Sequence, residues 1–374
     1  MVSRQRLLIL SFSRIESDAR VLKQVRAFAE LYEVVTCGFG GSPDPRVTHV
    51  EIPETPAPPR RANLLLRRYA HLYEEEPAVR GARAALRTEE RFDVVLANDV
   101  EAVGLALSLD PRSGVHADLH EYAPRLNEEL LTWRLLIAPY KRWMCRTFLP
   151  SASSITTVGQ GIADEYARRF GVASSVVTNA APHVSLGAHP VGERIRMVHS
   201  GATLRNRRLD VTVRAVVESS SDVSLDLFLV PNDPAYLAEL KQLATGDSRI
   251  TFHEPVPYAQ LIETINRYDV GVHVIPPTNF NNRWALPNKL FDYVQARLGV
   301  LVGPTEEMAR IVVDHGIGAV AAGFDVADVR RAIESMSTEM VDAWKTASNE
   351  SAQALSAEPQ VDVWVKAVRS LTGP

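Results

Sequence analysis

A lysine and an aspartate stand three residues apart near the start of a predicted helix, within the stretch NNRWALPNKLFDYVQARLGVLVG (residues 281–303). The apolar residues after Pro287 recur at helical spacing, so they face a core and leave Lys289 and Asp292 on the other side. Pro287 suits the first turn of a helix, and no Ser, Thr or Asp directly precedes it as a cap. The first amides of this helix are therefore open to an anion. An ordinary βαβ unit with an exposed lysine and aspartate is the alternative that this spacing leaves open.

A second basic corner follows the predicted strand RIRMVHSGA, where Gly201 precedes a loop that carries Arg205, Arg207 and Arg208. Arginine forks and a lysine ammonium beside an uncapped helix start suit a phosphate or a diphosphate. Asp292, one turn further into its helix, would repel phosphate but can accept hydrogen bonds from the diol of a sugar. An anion site and a diol site at one corner together indicate a nucleotide.

Polar side chains also end two successive strands in the first half of the chain. The strand at residues 91–99 ends in Asn98 and Asp99, and the strand at 114–122 carries His116, Asp118, His120 and Glu121. Ligands of doubly wound sheets bind beyond the carboxyl ends of the strands, so these side chains are expected at one rim. The spacing His-Ala-Asp-Leu-His also suits a metal site on a helix, but a strand is indicated here. We favour a hydrogen-bonding or acid–base role for His120.

Strands of continuous apolar residues alternate with amphipathic helices in both halves of the chain, which indicates parallel sheets covered on both faces. The segment 183–194 is rich in Pro and Gly and reads as a linker. We therefore predict an α/β protein of two Rossmann-like, doubly wound domains that face each other across a cleft. The predicted N-terminal domain is 1–185 with a returning helix at 355–374, and the C-terminal domain is 190–352. The first βα loop lacks a GxGxxG fingerprint, which disfavours a classical NAD domain.

The composition excludes several classes of function. A chain of 374 residues with 46% hydrophobic residues fills two cores, and a net charge of −4 gives no general attraction to nucleic acid. Two cysteines form neither a disulfide framework nor a metal pattern, which favours a reducing compartment. No stretch reaches the length of a transmembrane helix, so we expect a soluble cytoplasmic protein.

One basic segment has two interpretations. In RRANLLLRRYAHLY, the residues Arg60, Arg61, Arg67 and Arg68 surround the apolar run Leu64–Leu66, with no acid among them. The segment is either an amphipathic contact with anionic lipid or a phosphate-bearing substrate, or a helix packed on the sheet with a solvated basic side. We favour the packed helix.

The chain resembles the GT-B glycosyltransferases, in particular family 4 and its close relatives. The segments that carry the resemblance are ESDARVLKQVRAFAELYEVV, DLHEY, HSGATLRNRRLD, DVGVHVIPPTNFNN and ALPNKLFDYVQARLGVLVG, in the order of the family. The resemblance implies a nucleotide-sugar donor held by the second domain, an acceptor held by the first, and retention of the anomeric configuration.

Three site residues are carried over by this resemblance. Asp292 stands where the family has the glutamate that binds the ribose, and Arg207 aligns with a basic residue that binds the diphosphate. His120 resembles the histidine that meets the transferred sugar. Two positions depart from the pattern, since Trp284 replaces a glutamate that usually touches the donor sugar and Ala202 replaces the second basic residue of the corner.

The expected activity is transfer of a hexose-type sugar from a UDP-, GDP- or dTDP-sugar to a hydroxyl of a glycan, a lipid-linked saccharide or a natural product. No metal and no further cofactor is expected, because Arg, Lys and backbone amides would stabilise the leaving diphosphate. Peripheral contact with the inner face of a membrane is a further expectation. The rivals are a GT-B epimerase or hydrolase of sugar nucleotides, and a binding subunit without catalysis.

The predicted site residues fall into three groups. The catalytic group is His120, Asp99 and Glu121; the donor group is Gly201, Arg205, Arg207, Asn282, Asn288, Lys289, Leu290 and Asp292; and the acceptor group is Ser13, Arg14 and Asn98. For Arg14, a solvated position in the loop is an equal alternative.

Overall fold

The chain folds into two α/β units in the computed structural model, which describes residues 4–55 and 61–373. Unit 1 comprises Met1–Thr178, Asn279–Asn281 and Gln360–Pro374, and unit 2 comprises Asn179–Thr278 and Asn282–Pro359. The short insertion into unit 1 is held by hydrogen bonds, since the amide of Tyr122 donates to Asn281 Oδ1 at 2.8 Å.

Unit 1 is built on a parallel sheet of seven strands in the order β3-β2-β1-β4-β5-β6-β7. The strands are β1 (Arg6–Arg14), β2 (Glu33–Phe39), β3 (Thr48–Glu51), β4 (Val94–Asn98), β5 (Gly114–Leu119), β6 (Ser154–Thr157) and β7 (Ser175–Val176). Leu7 to Leu10 are fully buried on both faces of β1, as the continuous apolar run predicts.

The first α-helices of the chain cover or flank this sheet. They are α1 (Ala19–Phe28), α2 (Arg61–Leu65), α3 (Tyr69–Glu74), α4 (Pro77–Ala85), α5 (Asp99–Ser108), α6 (Ala138–Phe148) and α7 (Gln160–Phe170). The sequence predicted one long helix over residues 126–148, but a π-helical turn at Trp133–Ile137 precedes α6. Short 3-10 turns lie at Ile15–Ser17, Leu86–Thr88, Ala123–Arg125 and Leu149–Ser151.

Unit 2 is built on a second parallel sheet, of six strands, in the order β10-β9-β8-β11-β12-β13. The strands are β8 (Ile195–Ala202), β9 (Val223–Val230), β10 (Ile250–His253), β11 (Val270–His273), β12 (Gly299–Val302) and β13 (Gly318–Val320). Numbered within the unit, this is the 3-2-1-4-5-6 order of a Rossmann sheet, and the first six strands of unit 1 follow it as well.

The helices of unit 2 alternate with its strands. They are α8 (Leu209–Glu218), α9 (Pro234–Leu243), α10 (Tyr258–Ile265), α11 (Phe280–Arg283, which begins in unit 1), α12 (Asn288–Gln295), α13 (Glu306–Asp314), α14 (Val326–Glu334) and α15 (Thr338–Ser351). A 3-10 turn at Arg205–Arg207 links β8 to α8. The last helix, α16 (Ala357–Thr372), lies in unit 1 from Gln360 onward, where Trp364 is buried in the core.

Two local predictions need correction or completion. Pro287 was expected inside the first turn of its helix, but α12 begins at Asn288 and Pro287 is the residue that precedes it. In the basic segment, Arg60 lies outside the described residues, and α2 buries only Leu64 while Leu65 and Leu66 are exposed. As predicted, this segment packs through Leu64 and leaves Arg67 and Arg68 in solvent, but Leu65 and Leu66 also face solvent.

Cys37 and Cys145 are buried free thiols. Within the described part of the chain, no helix has both the length and the apolar character needed to span a membrane.

Candidate functional site

A cavity of about 390 Å³ opens in unit 2 beyond the carboxyl ends of β8 and β9, beside the first turn of α12. Its lining combines one face of apolar side chains with a few polar groups that converge on it. The lining residues are Ser200, Gly201, Phe228, Val230, Pro255, Val256, Tyr258, Leu261, Asn288, Lys289 and Asp292. An apolar pocket with a few polar groups at strand ends is the usual form of a small-molecule site.

In this cavity the backbone at Gly201 lies close to the charged side chain of Lys289. Its φ of +141° is one that residues with a side chain rarely adopt, and a Cβ atom there would lie 2.4 Å from Lys289 Cε and 2.5 Å from Nζ. The glycine therefore lets the ammonium of Lys289 lie directly over the chain at the end of β8.

Lys289 sits in the first turn of α12 and makes no ion pair with a described residue. Burial lowers the pKa of Lys289, and the positive charge of nearby Arg207 lowers it further, while Asp292 opposes both. No side chain of the preceding residue caps α12, since Pro287 occupies that position. Two cations and an uncapped helix start thus create a positive potential that an anion would relieve.

Asp292 lies on the wall of the same cavity and is 2% exposed. Tyr258 donates a hydrogen bond from its hydroxyl to Asp292 Oδ1 at 3.1 Å, which fixes the orientation of the carboxylate. Tyr258 is half exposed at the start of α10, next to Pro255 and Val256 in the cavity lining. Sequence reasoning missed Tyr258, because the packing of α10 against α12 is a tertiary contact.

Three predicted donor residues lie elsewhere. Arg205 turns away to a bidentate ion pair with Glu239, at 2.8 and 2.7 Å, and stacks over Tyr236. The side chain of Leu290 is fully buried in the core of unit 2. Asn282 is 8% exposed and donates to Thr278 Oγ1 at 2.8 Å.

Arg283, the other basic residue expected near this corner, pairs with Glu306 and stacks over Trp284. Of the basic residues predicted for this corner, Lys289 lines the cavity, and Arg207 lies close enough for its charge to lower the pKa of Lys289. Arg205 and Arg283 are engaged by acids that are distant in sequence and close in space, so the spacing of the basic residues alone does not predict which of them face the cavity.

Two histidines under this corner were not singled out by the sequence. His199 and His273 stack with ring centroids 5.8 Å apart, and His199 Nδ1 bonds to the carbonyl of Val272 at 2.8 Å. Burial, together with the charges of Lys289 and Arg207, lowers the pKa of His199 to about 3 and keeps that of His273 well below its usual value. Both rings are thus neutral near physiological pH and add no charge to the corner.

In unit 1, the predicted rim is organised around Asp118, at the end of β5 and fully buried. Arg20 donates to both oxygens of Asp118, from Nε and Nη2, at 2.7 Å each. Gln24 and Thr156 donate to the same carboxylate at 2.7 and 2.6 Å, and Trp364 donates at 3.3 Å. Burial alone would raise the pKa of Asp118, but the charge and hydrogen bonds of Arg20, together with His120, hold it well below its ordinary value.

His120 lies beyond this network and is held by three of its neighbours. Its amide donates to Asp99 Oδ1 at 2.9 Å, and its Nε2 lies 2.9 Å from Asn98 Oδ1. The ring stands 3.5 Å from both Asp99 and Asp118. Burial disfavours the charged imidazolium, yet the two carboxylates outweigh burial and raise the pKa of His120.

Asp99 adopts a left-handed backbone conformation with φ of +62° at the junction of β4 and α5. A non-glycine residue in this region costs energy, and such residues often occur at functional sites. Its side chain, 45% exposed, is the most accessible carboxylate beside His120.

The remaining predicted residues of unit 1 have other partners. Asn98 forms a reciprocal amide pair with Gln24, at 2.9 and 3.0 Å. Ser13 Oγ lies 2.8 Å from Ser11 Oγ, and Arg14 pairs with Glu54 at 2.8 Å on the exposed surface. Glu121 is exposed, and its carbonyl accepts a hydrogen bond from Tyr166.

The spacing His-Ala-Asp-Leu-His does not form a metal cluster in the structure. His116 bonds instead to Ser154 and Thr156, at 2.7 and 3.0 Å. Among the residues that the structure describes, no group of three metal-ligating side chains comes together.

A separate cavity of about 310 Å³ in unit 1 involves none of the predicted site residues. Its lining residues are Tyr122, Pro124, Arg125, Arg142, Arg146, Glu165, Arg169 and Phe170.

No protein-family model and no curated protein sequence matches this chain. Its fold, however, matches several solved structures over almost the whole length of both chains. Sucrose-phosphate synthase from Thermosynechococcus elongatus superposes with a TM-score of 0.74 and 14% identity, and the match covers 98% of this chain and 99% of that chain.

HepE from Anabaena, in complex with UDP-glucose, matches with a TM-score of 0.72 and 13% identity over 98% of this chain and 99% of that one. The trehalose 6-phosphate synthase from Burkholderia multivorans matches with a TM-score of 0.69 and 13% identity over 99% of each chain. Identities this low establish the fold alone. The chain therefore has the two-domain fold of the GT-B glycosyltransferases.

Proposed function

We propose that this protein is a retaining glycosyltransferase that moves a hexose-type sugar from a nucleoside-diphosphate donor to a hydroxyl acceptor. The observation that carries the proposal is the cavity of unit 2, where Gly201, Lys289 and Asp292 combine an anion site with a diol acceptor. The HepE structure, which has this fold and contains UDP-glucose, supports the same class of donor.

The donor diphosphate binds over Gly201, where the ammonium of Lys289, the guanidinium of Arg207 and the first amides of α12 favour negative charge. Asp292, oriented by Tyr258, accepts hydrogen bonds from the ribose diol. The base packs against the apolar side of the cavity formed by Pro255 and Val256.

Transfer then breaks the bond between the anomeric carbon and the phosphate oxygen, and the acceptor oxygen forms the new bond on the same face. The departing phosphate takes the proton of the acceptor hydroxyl, so the step needs no enzyme nucleophile. Lys289, Arg207 and the α12 amides stabilise the charge that develops on the diphosphate. In this proposal the donor and acceptor are the only small molecules required.

The acceptor side of the proposal uses the rim of unit 1. His120, with its pKa raised by Asp99 and Asp118, donates a hydrogen bond to a sugar hydroxyl, and exposed Asp99 accepts one. Glu121, Ser13, Arg14 and Asn98 remain predicted residues of this side.

Both saccharides and lipid-linked saccharides fit such a rim, and a lipid-linked acceptor requires contact with a membrane surface. We keep the cytoplasm as the proposed compartment, at the inner face of the membrane if the acceptor is lipid-linked. At the sugar end of the donor, Trp284 replaces the acidic contact of the family and stacks under Arg283.

The matched pair Arg207→Ala and Arg205→Ala tests this function, since both arginines lie in one 3-10 turn but only Arg207 acts electrostatically on Lys289. Calorimetry with UDP-glucose, GDP-mannose and dTDP-glucose identifies the donor. Arg207→Ala should then weaken donor binding about 10- to 100-fold, the value of a charged hydrogen bond to phosphate, and turnover should fall with it. Arg205→Ala should change donor affinity by less than about threefold.

Equal donor affinity in both variants and the wild type would refute the phosphate site. Release of the sugar from the donor without any acceptor would instead indicate an epimerase or a hydrolase. Donor binding without transfer to any saccharide or lipid-linked acceptor would indicate a non-catalytic subunit.

A further inference from the structure

Two neighbouring segments of unit 1 expose a group of leucines that the donor and acceptor sites do not use. The exposed fractions are 67% for Leu65, 62% for Leu66, 54% for Leu130, 58% for Leu131 and 64% for Leu135. Helix α2, which ends at Leu65, packs against the π-helical turn Trp133–Ile137. Leu65 and Leu135 lie in these two elements, and Leu66, Leu130 and Leu131 lie in the residues directly next to them; we name the five leucines the leucine face.

This face belongs to ordered structure rather than to a frayed end. Leu64 is 3% exposed and fixes α2 to unit 1, and the next two residues, Leu65 and Leu66, face outward. Trp133 Nε1 donates to the carbonyl of Pro124 at 3.3 Å and fixes the π-helical turn. Leu131 and Leu135, one turn apart, then project from the same side of the helix. Large exposed apolar patches on ordered elements mark interaction surfaces.

Within the two segments that carry the leucine face, residues 64–68 and 130–135, every charged residue is an arginine. Neither residues 55–73 nor residues 130–163 contain an Asp or a Glu, whereas Arg67, Arg68 and Arg134 are all exposed there. The two acids that directly precede Leu130 have partners inside unit 1, since Glu128 pairs with Arg125 and accepts from the amide of Phe280. Asn279 donates to the other, Glu129, at 3.4 Å.

We propose that the leucine face docks unit 1 on a membrane surface that contains anionic lipid. The leucines enter the boundary between headgroups and acyl chains, and Arg67, Arg68 and Arg134 contact the lipid phosphates. The charge argues against a second copy of the chain as the occupant, because two such faces would bring arginines against arginines. This inference goes beyond the proposed transferase and does not depend on it.

Co-sedimentation of the full chain with vesicles tests the proposal. The vesicles contain either phosphatidylcholine alone or phosphatidylcholine mixed with phosphatidylglycerol. The wild type should bind the anionic vesicles, and its binding should weaken as salt rises. Neutral vesicles should bind it at least tenfold less, because each arginine near an anionic surface adds about fivefold to the partition.

Two double variants separate the contributions of the leucines and the arginines. Leu131→Gln with Leu135→Gln should reduce vesicle binding about 100-fold, because losing the burial of each leucine side chain lowers the binding constant roughly tenfold. Arg68→Gln with Arg134→Gln should reduce binding to anionic vesicles about 25-fold. The controls are Val313→Gln, at a valine 68% exposed in unit 2, and Arg87→Gln, at an exposed arginine in a 3-10 turn of unit 1; neither should change binding.

Vesicle binding that is absent in the wild type, or unchanged in the leucine variant, overturns the proposal. Sedimentation of the protein without vesicles tests the alternative occupant. If the wild type forms a concentration-dependent dimer that the leucine variant does not form, the membrane proposal is overturned in favour of a second copy of the chain. Calorimetric donor binding is measured on the same variant and should be unchanged. Failure of membrane docking is therefore distinguishable from failure of the donor site.

Discussion

The strand ends of unit 1 and unit 2 hold charge in opposite ways. In unit 1, the buried carboxylate of Asp118 pairs with Arg20 and also accepts hydrogen bonds from the side chains of Gln24, Thr156 and Trp364. In unit 2, the charge of Lys289 lies over Gly201 beside Arg207, with no ion pair to a described residue. The first six strands of the two sheets have the same order, yet the charge at the rim of unit 1 is satisfied by its own side chains, whereas Lys289 at the rim of unit 2 lines a cavity.

This difference predicts that the charges at the rim of unit 1 serve folding stability and that the charges at the rim of unit 2 serve ligand binding. Removing a charge from a closed buried network leaves its partner uncompensated, so folding stability should suffer first. Removing a cation from an open corner relieves repulsion with its neighbour, so binding should suffer while stability does not. Substitutions at the two rims therefore test the contrast directly.

The largest effect is expected for Asp118→Ala. The substitution leaves the guanidinium of Arg20, 5% exposed, without its partner, and should lower the free energy of unfolding by about 3–5 kcal/mol. Urea denaturation measures this change. As a control, Asp222→Ala removes an exposed ion pair with Arg194 and should cost no more than about 1 kcal/mol. Equal costs at the two sites would contradict the closed network of unit 1.

Lys289→Met should show the opposite pattern. Donor affinity should fall about 10- to 100-fold with the loss of a charged contact to the diphosphate, measured by calorimetry. The free energy of unfolding should stay the same or rise, because burial and Arg207 both disfavour the charge of Lys289 in the free protein. A clear loss of stability without loss of donor affinity would show that Lys289 serves the fold.

Asp292→Asn and Tyr258→Phe should have graded effects on the same ligand. The amide accepts a weaker bond from the ribose diol than the carboxylate does, so donor affinity should fall about tenfold. Tyr258→Phe leaves the carboxylate but removes the hydrogen bond that orients it, and a fall of about threefold is expected. Thermal shift with the donor ranks the two variants, and the reverse ranking would argue against a direct ribose contact for Asp292.

The smallest effect concerns His120 and depends on pH. Its pKa is raised in the folded protein by Asp99 and Asp118, so its charged form contributes stability fully below the unfolded pKa of about 6.5. That contribution is lost as the pH rises through the folded pKa. The difference in unfolding free energy between the wild type and His120→Gln should therefore shrink from pH 6 upward. In Asp99→Asn, NMR titration should show a lower pKa for His120, and an unchanged pKa would remove Asp99 as its cause.

Much of the fold follows from local pattern. Continuous apolar runs such as Leu7 to Leu10 predicted parallel strands buried on both faces, and the structure has them in two Rossmann-like sheets. The spacing in α12 correctly predicted a buried apolar side, and it set Lys289 and Asp292 apart from that side. The resemblance to GT-B enzymes predicted the fold that the structural matches bear out.

The sequence could not rank the residues of the site. Arg205 and Arg207 both lie in the loop after β8, so the sequence does not distinguish them. In the structure, Glu239 on α9 pairs with Arg205, and Arg207 is the arginine whose charge acts on Lys289. Likewise, Leu65 and Leu66 read as part of a packed helix, yet only Leu64 reaches the core.

Local sequence determined the strands, the helices and the side of α12 that carries Lys289 and Asp292, because periodicity acts over a few residues. The partners of each charge were decided by the tertiary structure alone. Arg20 meets Asp118 across 98 positions of chain, and Tyr258 meets Asp292 across 34. Such pairs form when strand order brings distant loops to one edge of a sheet, and no short-range pattern records that order.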